Sequence, residues 1–496
     1  MIDSITTTFR SASKRRGSRL RNGAGLLVSA LSVSVIVMGV AHAQATTAPA
    51  PATDESLTWH GITLYGTVDV GLQNQTHGAP ISDYFVGGSA EVVQKNSNRS
   101  VTGVTPSNLS QSRIGLQGLE PIIDDWSGVF KIETFFNPQS GQISDALKSL
   151  VQNNGRTAVN QTTNVDSSAS GQTFMQSFVG LSSKTFGTVT FGRQNTVLAD
   201  GIAKYDPNYA SQAYSLIGIS GTAAGGGDTQ NRRLDSSLKY TGSFGGVAHL
   251  SAQYKFNQST GSANTAYEVS FGGEFAGFSA DAFYTKIKDA VSVAALNAGQ
   301  VADLPGLCPA PLPAGTNCIA ASPNNALAAT ISDNTAFSVM ALYNMGFLKF
   351  FGGYEHIQYA NPDDPLSAGF NVAAYTIAFV NKQSGTGSTY FNDKKLQVYW
   401  AGVRYTVVPD LDLVAAYYGY KQNAYGVGAD AGCSTNVSGT CSGTEDVISF
   451  DCDYRLTKRF DTFAGVMYSG VKNGLAAGYD FSRTDITTTV GARFKF

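Results

Sequence analysis

Between Thr484 and Phe496 the chain alternates in polarity: Ile486, Thr488, Val490, Ala492, Phe494 and Phe496 interleave with Asp485, Thr487, Thr489, Gly491, Arg493 and Lys495. Side chains of an extended strand point to opposite faces with a period of two, so the segment offers one apolar face and one that carries the charge. A half-buried strand of a sandwich would show the same alternation. Two further features narrow the choice. The apolar row ends on an aromatic residue, Phe496, and the same two-faced pattern recurs up the chain.

The first repeat, Gly61 to Leu72, sets Ile62, Leu64, Val68, Val70 and Leu72 against Thr63, Tyr65, Thr67 and Asp69. Ser110 to Leu119 sets Ile114 and Leu116 against Gln111, Arg113 and Gln117; Trp126 to Phe136 sets Phe130 and Ile132 against Lys131 and Glu133. Similar segments follow near 173–182, 187–193, 233–241, 247–256, 266–275, 278–287, 335–344, 347–357, 394–406, 411–421, 444–455, 460–469 and 484–496, sixteen in all. Short joints, such as Ser183 to Phe186, Gly242 to Gly246, Ala276-Gly277, Met345-Gly346, Val408 to Asp410 and Thr457 to Arg459, alternate with long polar stretches near 74–108, 137–170, 194–231, 288–333, 358–393 and 422–443. Strands of about ten residues with short turns at one end and long loops at the other are the signature of an outer-membrane β-barrel. Lipid excludes open sheet edges, so the first and last strands are expected to pair and close the ring. A row of soluble sandwiches would need linkers or internal repeats about every hundred residues, and 57–496 offers neither.

Composition agrees. Charged residues make up 14% of the chain, against about a quarter in soluble proteins. Outside the N-terminus no run of about 20 apolar residues could form a membrane helix. The N-terminus itself reads as a targeting segment, with a membrane anchor as the alternative: Arg10, Lys14, Arg15, Arg16, Arg19 and Arg21 precede the apolar stretch Ala24 to Val40 and the small-residue site Ala41-His42-Ala43. The expected organisation is a signal peptide over 1–43, a flexible Ala/Thr/Pro-rich lead-in over 44–56 and a barrel domain over 57–496. Cleavage after Ala43 removes six basic residues and Asp3, a change of five charges, taking the net charge from −2 to −7. Such a chain has no general basic surface for nucleic acid.

Export also suits the cysteines. Cys308 and Cys318 share one loop, Cys433 and Cys441 another, and each pair is close enough to bridge in an oxidising compartment; four free thiols are the alternative. Cys452 falls on an apolar strand face. Neither loop supplies a zinc-ligand pattern, and no metal or cofactor is expected. His60, His77, His249 and His356 are scattered without triad spacing, and Gly225 to Asp228 lacks the Lys and Ser/Thr of a phosphate-binding loop. The chain therefore does not read as an enzyme, although a triad assembled in space leaves an outer-membrane hydrolase as an alternative. A barrel of this size leaves an aqueous lumen. Its candidate lining residues by alternation are Tyr65, Asp69, Arg113, Lys131, Glu133, Arg233, Asp235 and Lys239, each with the alternative of an ordinary solvated wall residue.

The segments Leu64-Tyr65-Gly66, Ser112 to Gly118, Phe178-Val179-Gly180-Leu181, Phe186 to Arg193, Tyr205-Asp206-Pro207, Leu238-Lys239-Tyr240 and Val490 to Phe496 resemble, in order and spacing, the general porins of Gram-negative outer membranes, especially their β-proteobacterial branch. The resemblance runs from about residue 57 to the end. It implies a sixteen-stranded antiparallel barrel, usually a homotrimer in the outer membrane, passing small hydrophilic solutes and ions by diffusion. It implies an inward-folded third loop over 194–230 with Asp206 as its acidic member and Lys204 beside it, facing a basic wall that includes Arg113 and Arg233. It also implies that 137–170 latches onto a neighbouring subunit and that assembly machinery reads the terminal Phe496. Two positions depart from the family. Met175 stands where a wall Arg is frequent, and Pro207-Asn208-Tyr209-Ala210 lacks the usual Glu and Phe-Gly. Arg113, Lys131, Lys204, Arg233 and Lys239 against Asp69, Glu133, Asp206 and Asp235 leave a slight cationic excess near the constriction, so a weak anion preference or near neutrality is expected. The mature chain is long for the family, which leaves a substrate-specific channel as the alternative.

Overall fold

The computed structural model describes residues 57–78, 100–144, 174–220, 233–256, 265–294, 326–361, 371–372, 375–379, 392–427, 432–433, 440–476 and 482–496. The expected signal peptide, the lead-in and the Cys308–Cys318 pair lie outside the described residues.

Sixteen strands make the wall: β1 Ile62–Gln75, β2 in two pieces Val101–Pro106 and Arg113–Ile123, β3 Trp126–Asn137, β4 Gln176–Ser183, β5 Gly187–Asn195, β6 Arg233–Phe244, β7 Ala248–Lys255 and β8 Ala266–Phe275. They continue as β9 Phe278–Ala294, β10 Ala326–Met345, β11 Leu348–Ala360, β12 Lys394–Val408, β13 Leu411–Gln422, β14 Gly443–Arg455, β15 Phe460–Asn473 and β16 Thr484–Lys495. Each pairs antiparallel with the next, and β1 pairs with β16 from Thr67 opposite Lys495 to Gln75 opposite Thr487. The ring is closed, so no strand edge is left for lipid.

The distribution of polarity is the reverse of a soluble core. On β14, Ser449, Asp451 and Asp453 are buried, while Ile448 and Phe450, on either side of Ser449, are 57% and 51% exposed. On β16, Asp485, Thr487 and Thr489 are buried and Ile486, Val490 and Phe494 are exposed. Polar rows thus point inward and apolar rows outward, the arrangement a hydrocarbon surround requires. Closure is completed on the outer side of Gly66, where its amide donates to the Phe496 carbonyl at 2.9 Å and the Phe496 amide returns a bond at 3.1 Å. A Cβ at Gly66 would collide with the Phe496 ring, so glycine leaves room for the last aromatic against β1.

Three departures from the sequence reading concern lengths. β2 is interrupted: Val101–Pro106 pairs with the far half of β1, Arg113–Ile123 with the near half, and 107–112 leaves the wall. β9 and β10 extend to Ala294 and back to Ala326, further than 278–287 and 335–344, because their Ala/Ser/Thr-rich ends carry little alternation to read. Within 358–393 a short strand, Tyr375–Phe379, pairs in parallel with the start of β10. Cys433 and Cys441 form a disulfide with their Cα atoms 5.4 Å apart, and Cys452 is a free thiol.

Candidate functional site

After β5 the chain enters a helix, α1 Val197–Tyr205, capped at its start by Thr196, whose Oγ1 accepts from the Ala199 amide at 3.0 Å. The wall adds to this cap: Glu268 on β8 accepts from the Leu198 amide at 3.2 Å, and Lys239 on β6 holds Asp200. Past α1 the backbone turns sharply, with Tyr209 and Ala210 both left-handed at φ 51° and 60°. Asp206 organises that turn. Its carboxylate accepts from the Asn208 amide at 3.3 Å and the Ala210 amide at 2.7 Å. A second, short helix follows, α2 Leu216–Ser220.

Residues 196–220 bond to strands all around the ring. Trp400 Nε1 on β12 donates to the Tyr205 carbonyl at 3.0 Å, and Tyr205 hydroxyl meets Ser279 and Asp281 on β9. Arg404, also on β12, donates to the Pro207 carbonyl at 3.1 Å and lies 4.5 Å from the Tyr209 ring centroid. Tyr418 on β13 donates to Asp206 at 2.7 Å, Asn208 reaches Ser449 on β14 at 3.2 Å, and Tyr214 donates to the Thr489 carbonyl on β16 at 2.8 Å. Gln212 and Ala213 amides donate to the Asn108 carbonyl, between the two pieces of β2, at 2.8 and 3.0 Å. Apolar packing accompanies these bonds: Val197, Leu198, Ile202, Leu216 and Ile217 bury against Phe283, Met340, Ile357, Val398 and Trp400. At Gly402 a side chain would strike Pro207, so the absence of one there admits the turn.

A second group lies on β1, β2, β3 and the start of β6. Glu133, fully buried, accepts from Tyr65 hydroxyl at 2.9 Å and Gln176 at 3.0 Å. Lys131 and Arg113 approach the same carboxylate at 3.6 and 3.7 Å, with side chains 22% and 38% exposed. Phe135, two residues along the same row, carries the Arg233 guanidinium 4.7 Å from its ring centroid, and Arg233 also donates to Gln111 at 3.3 Å. The structure therefore brings Tyr65, Arg113, Lys131, Glu133 and Arg233 together.

The remaining expected site residues fall elsewhere. Asp206 does not face open lumen: it is fully buried, and its carboxylate serves the turn and Tyr418. Asp69, expected to line the pore, is also fully buried and accepts from the Asn108, Leu109 and Ser110 amides at 2.9, 2.8 and 2.9 Å. Met175 is buried too, its amide donating to the Glu133 carbonyl. For Asp69 alternation gives the right face but not what covers it; Asp206 and Met175 were expected from the family resemblance, which does not record their burial. Lys204 sits apart from Arg113, 3.7 Å from both Glu274 and Asp281. Asp235 pairs with Arg193, and Lys239 with Asp200. Asn108, Trp400, Arg404 and Tyr418, which hold the loop, were missed. A signal existed on β12, where Leu396, Val398 and Trp400 put an apolar run on the row that is polar elsewhere.

A closed ring of sixteen strands, apolar outside and polar inside, is a β-barrel of the Gram-negative outer membrane. The chain belongs to the Gram-negative porin family, whose pattern matches residues 30–476. It is 26% identical over 212 residues to an outer membrane porin protein of Bordetella pertussis, a match covering 42% of this chain and 46% of that relative's length. Among solved structures it is similar to the anion-selective porin from Comamonas acidovorans, with a TM-score of 0.54 at 18% identity over 88% of this chain and 99% of that one. It is similar also to the trimer form of the outer membrane protein OmpT of Vibrio cholerae, with a TM-score of 0.51 at 13% identity over 88% and 99% of the two chains.

Proposed function

We propose that the protein is a diffusion channel that lets small hydrophilic solutes and ions cross the outer membrane through a water-filled lumen. The observation that carries this reading is the closed ring with its polar row inside, since sixteen strands enclose more space than side chains alone fill. Residues 196–220 narrow that space: a segment bonded to β2, β9, β12, β13, β14 and β16 has to cross the interior to reach them. The loop covers the apolar inner wall of β9–β14, which in this reading leaves the passage on the side of Arg113 and Lys131, whose side chains are 38% and 22% exposed. Arg113 and Lys131 approach the buried Glu133 carboxylate and Arg233 lies on the neighbouring Phe135 ring, so this cationic excess favours anions weakly. Charges further than about 8–10 Å are screened at ordinary salt, so the net charge of the whole chain matters little.

The outer surface supports a homotrimer. The large hydrophobic residues exposed on β1, β2 and β4 are aliphatic, among them Ile62, Leu64, Ile114, Leu116, Val179 and Leu181, whereas β8–β11 also expose aromatics such as Phe271, Phe275, Phe337 and Phe350. Aromatics suit the lipid headgroup level, and a smooth aliphatic face suits a second copy. Export by a signal peptide cut after Ala43, and reading of Phe496 by the assembly machinery, complete the proposal. Liposome swelling tests it. Entry of sugars is expected to fall smoothly with size and to rise linearly with concentration; saturation by one sugar would instead mark a substrate-specific channel.

A further inference from the structure

Residues 107–112 leave the wall between the two pieces of β2 without an obvious reason, since continuous pairing with β1 would satisfy more backbone groups. Ser107 enters the excursion with a left-handed φ of 59°. Asp69, directly across on β1, holds it: one carboxylate oxygen takes the Asn108 amide at 2.9 Å, the other the Leu109 and Ser110 amides at 2.8 and 2.9 Å. Ser112 Oγ donates to the Asp69 carbonyl at 3.1 Å and accepts the Asp69 amide at 3.0 Å, so the excursion is pinned at both ends. The Asn108 carbonyl then takes three donors from residues 211–213: Ser211 Oγ at 2.8 Å and the Gln212 and Ala213 amides at 2.8 and 3.0 Å. Leu109 packs against Ala213, Tyr214 and Phe463 beside these bonds.

We propose that this excursion is a catch for the tip of the constricting loop, and that Asp69 is a positioning residue which, through Asn108, fixes the cross-section of the channel without touching solute. The proposal rests on the channel reading above. A carboxylate taking three amides is the stronger kind of hydrogen bond, and its removal leaves the excursion free to rejoin the strand.

Planar-bilayer recordings of the full-length protein separate the possibilities. In Asp69→Ala, which removes all three carboxylate–amide bonds, transitions to conductance substates are expected to rise at least about tenfold in frequency, since losing one charge-assisted bond alone has about that effect. The temperature at which the β-sheet circular dichroism is lost is expected to stay near that of the parent. Ser211→Ala, which loosens the catch from the loop side and leaves β1 untouched, is expected to act in the same direction but less strongly. Combined with Asp69→Ala it is expected to add nothing, because both act through Asn108. Additive effects, or substates unchanged in Ser211→Ala, overturn the proposal, as does an Asp69→Ala protein that melts earlier with unchanged current. Absence of any current from the parent protein overturns the channel reading instead.

Discussion

At Asp206 each carboxylate oxygen meets an amide or hydroxyl donor, yet the side chain has no contact with water. Burial pushes its carboxyl above the usual aspartate range, against the bonds from Tyr418, Ser215 and the Ala210 and Asn208 amides, which pull it down. A raised value in the docked loop means the docked form holds a proton more tightly than the free one. Docking is therefore strongest below the ordinary aspartate value, about 4, and weakens as pH rises through the raised value. Substate transitions in bilayer recordings are expected to become more frequent from acid to neutral pH, and Asp206→Asn is expected to flatten that trend. The same slope in both proteins would remove Asp206 from the account. The sequence could show that Arg113, Lys131 and Glu133 share an inner face, because adjacent strands in register put them together. It could not show that Asp69 is covered, since period two gives a side chain's direction and says nothing of what folds over it, nor that Asp206, which lies on no strand, is buried by its own turn and Tyr418.

Elements were legible to the extent that their two faces differ. β14 and β16 read cleanly because acids and threonines alternate with Ile, Val and Phe; the ends of β9 and β10 did not, because Ala, Ser and Thr are tolerated on either face. The break in β2 left no mark in the pattern, because the carboxylate that bonds its amides, Asp69, lies on another strand. The β1–β16 seam offers a direct test of closure. Gly66→Val places a branched side chain where the Phe496 ring lies, an overpacking that costs about 1–3 kcal/mol. The urea midpoint is expected to fall, and truncating the ring as well, Gly66→Val with Phe496→Ala, is expected to recover part of the loss. No drop in the single variant would mean that the ring does not lie over β1 at the seam.

For the whole molecule, a ring of sixteen strands solves two problems together: it leaves no unpaired edge in lipid, and it encloses polar rows that could not be buried in a solid core. This much follows from short polarity rules, which is why the chain's architecture could be read before its structure. The bonds that hold residues 196–220 join positions up to 275 apart, such as Tyr214 with Thr489, and no local pattern records them. The channel claim is tested most directly by the current–voltage relation of single insertions in a planar bilayer held across a potassium chloride gradient. Linear currents, stable at low voltage and reversing slightly toward the chloride potential, are the predicted result; a folded, inserted barrel that carries no current, or one that reverses near the potassium potential, would contradict it.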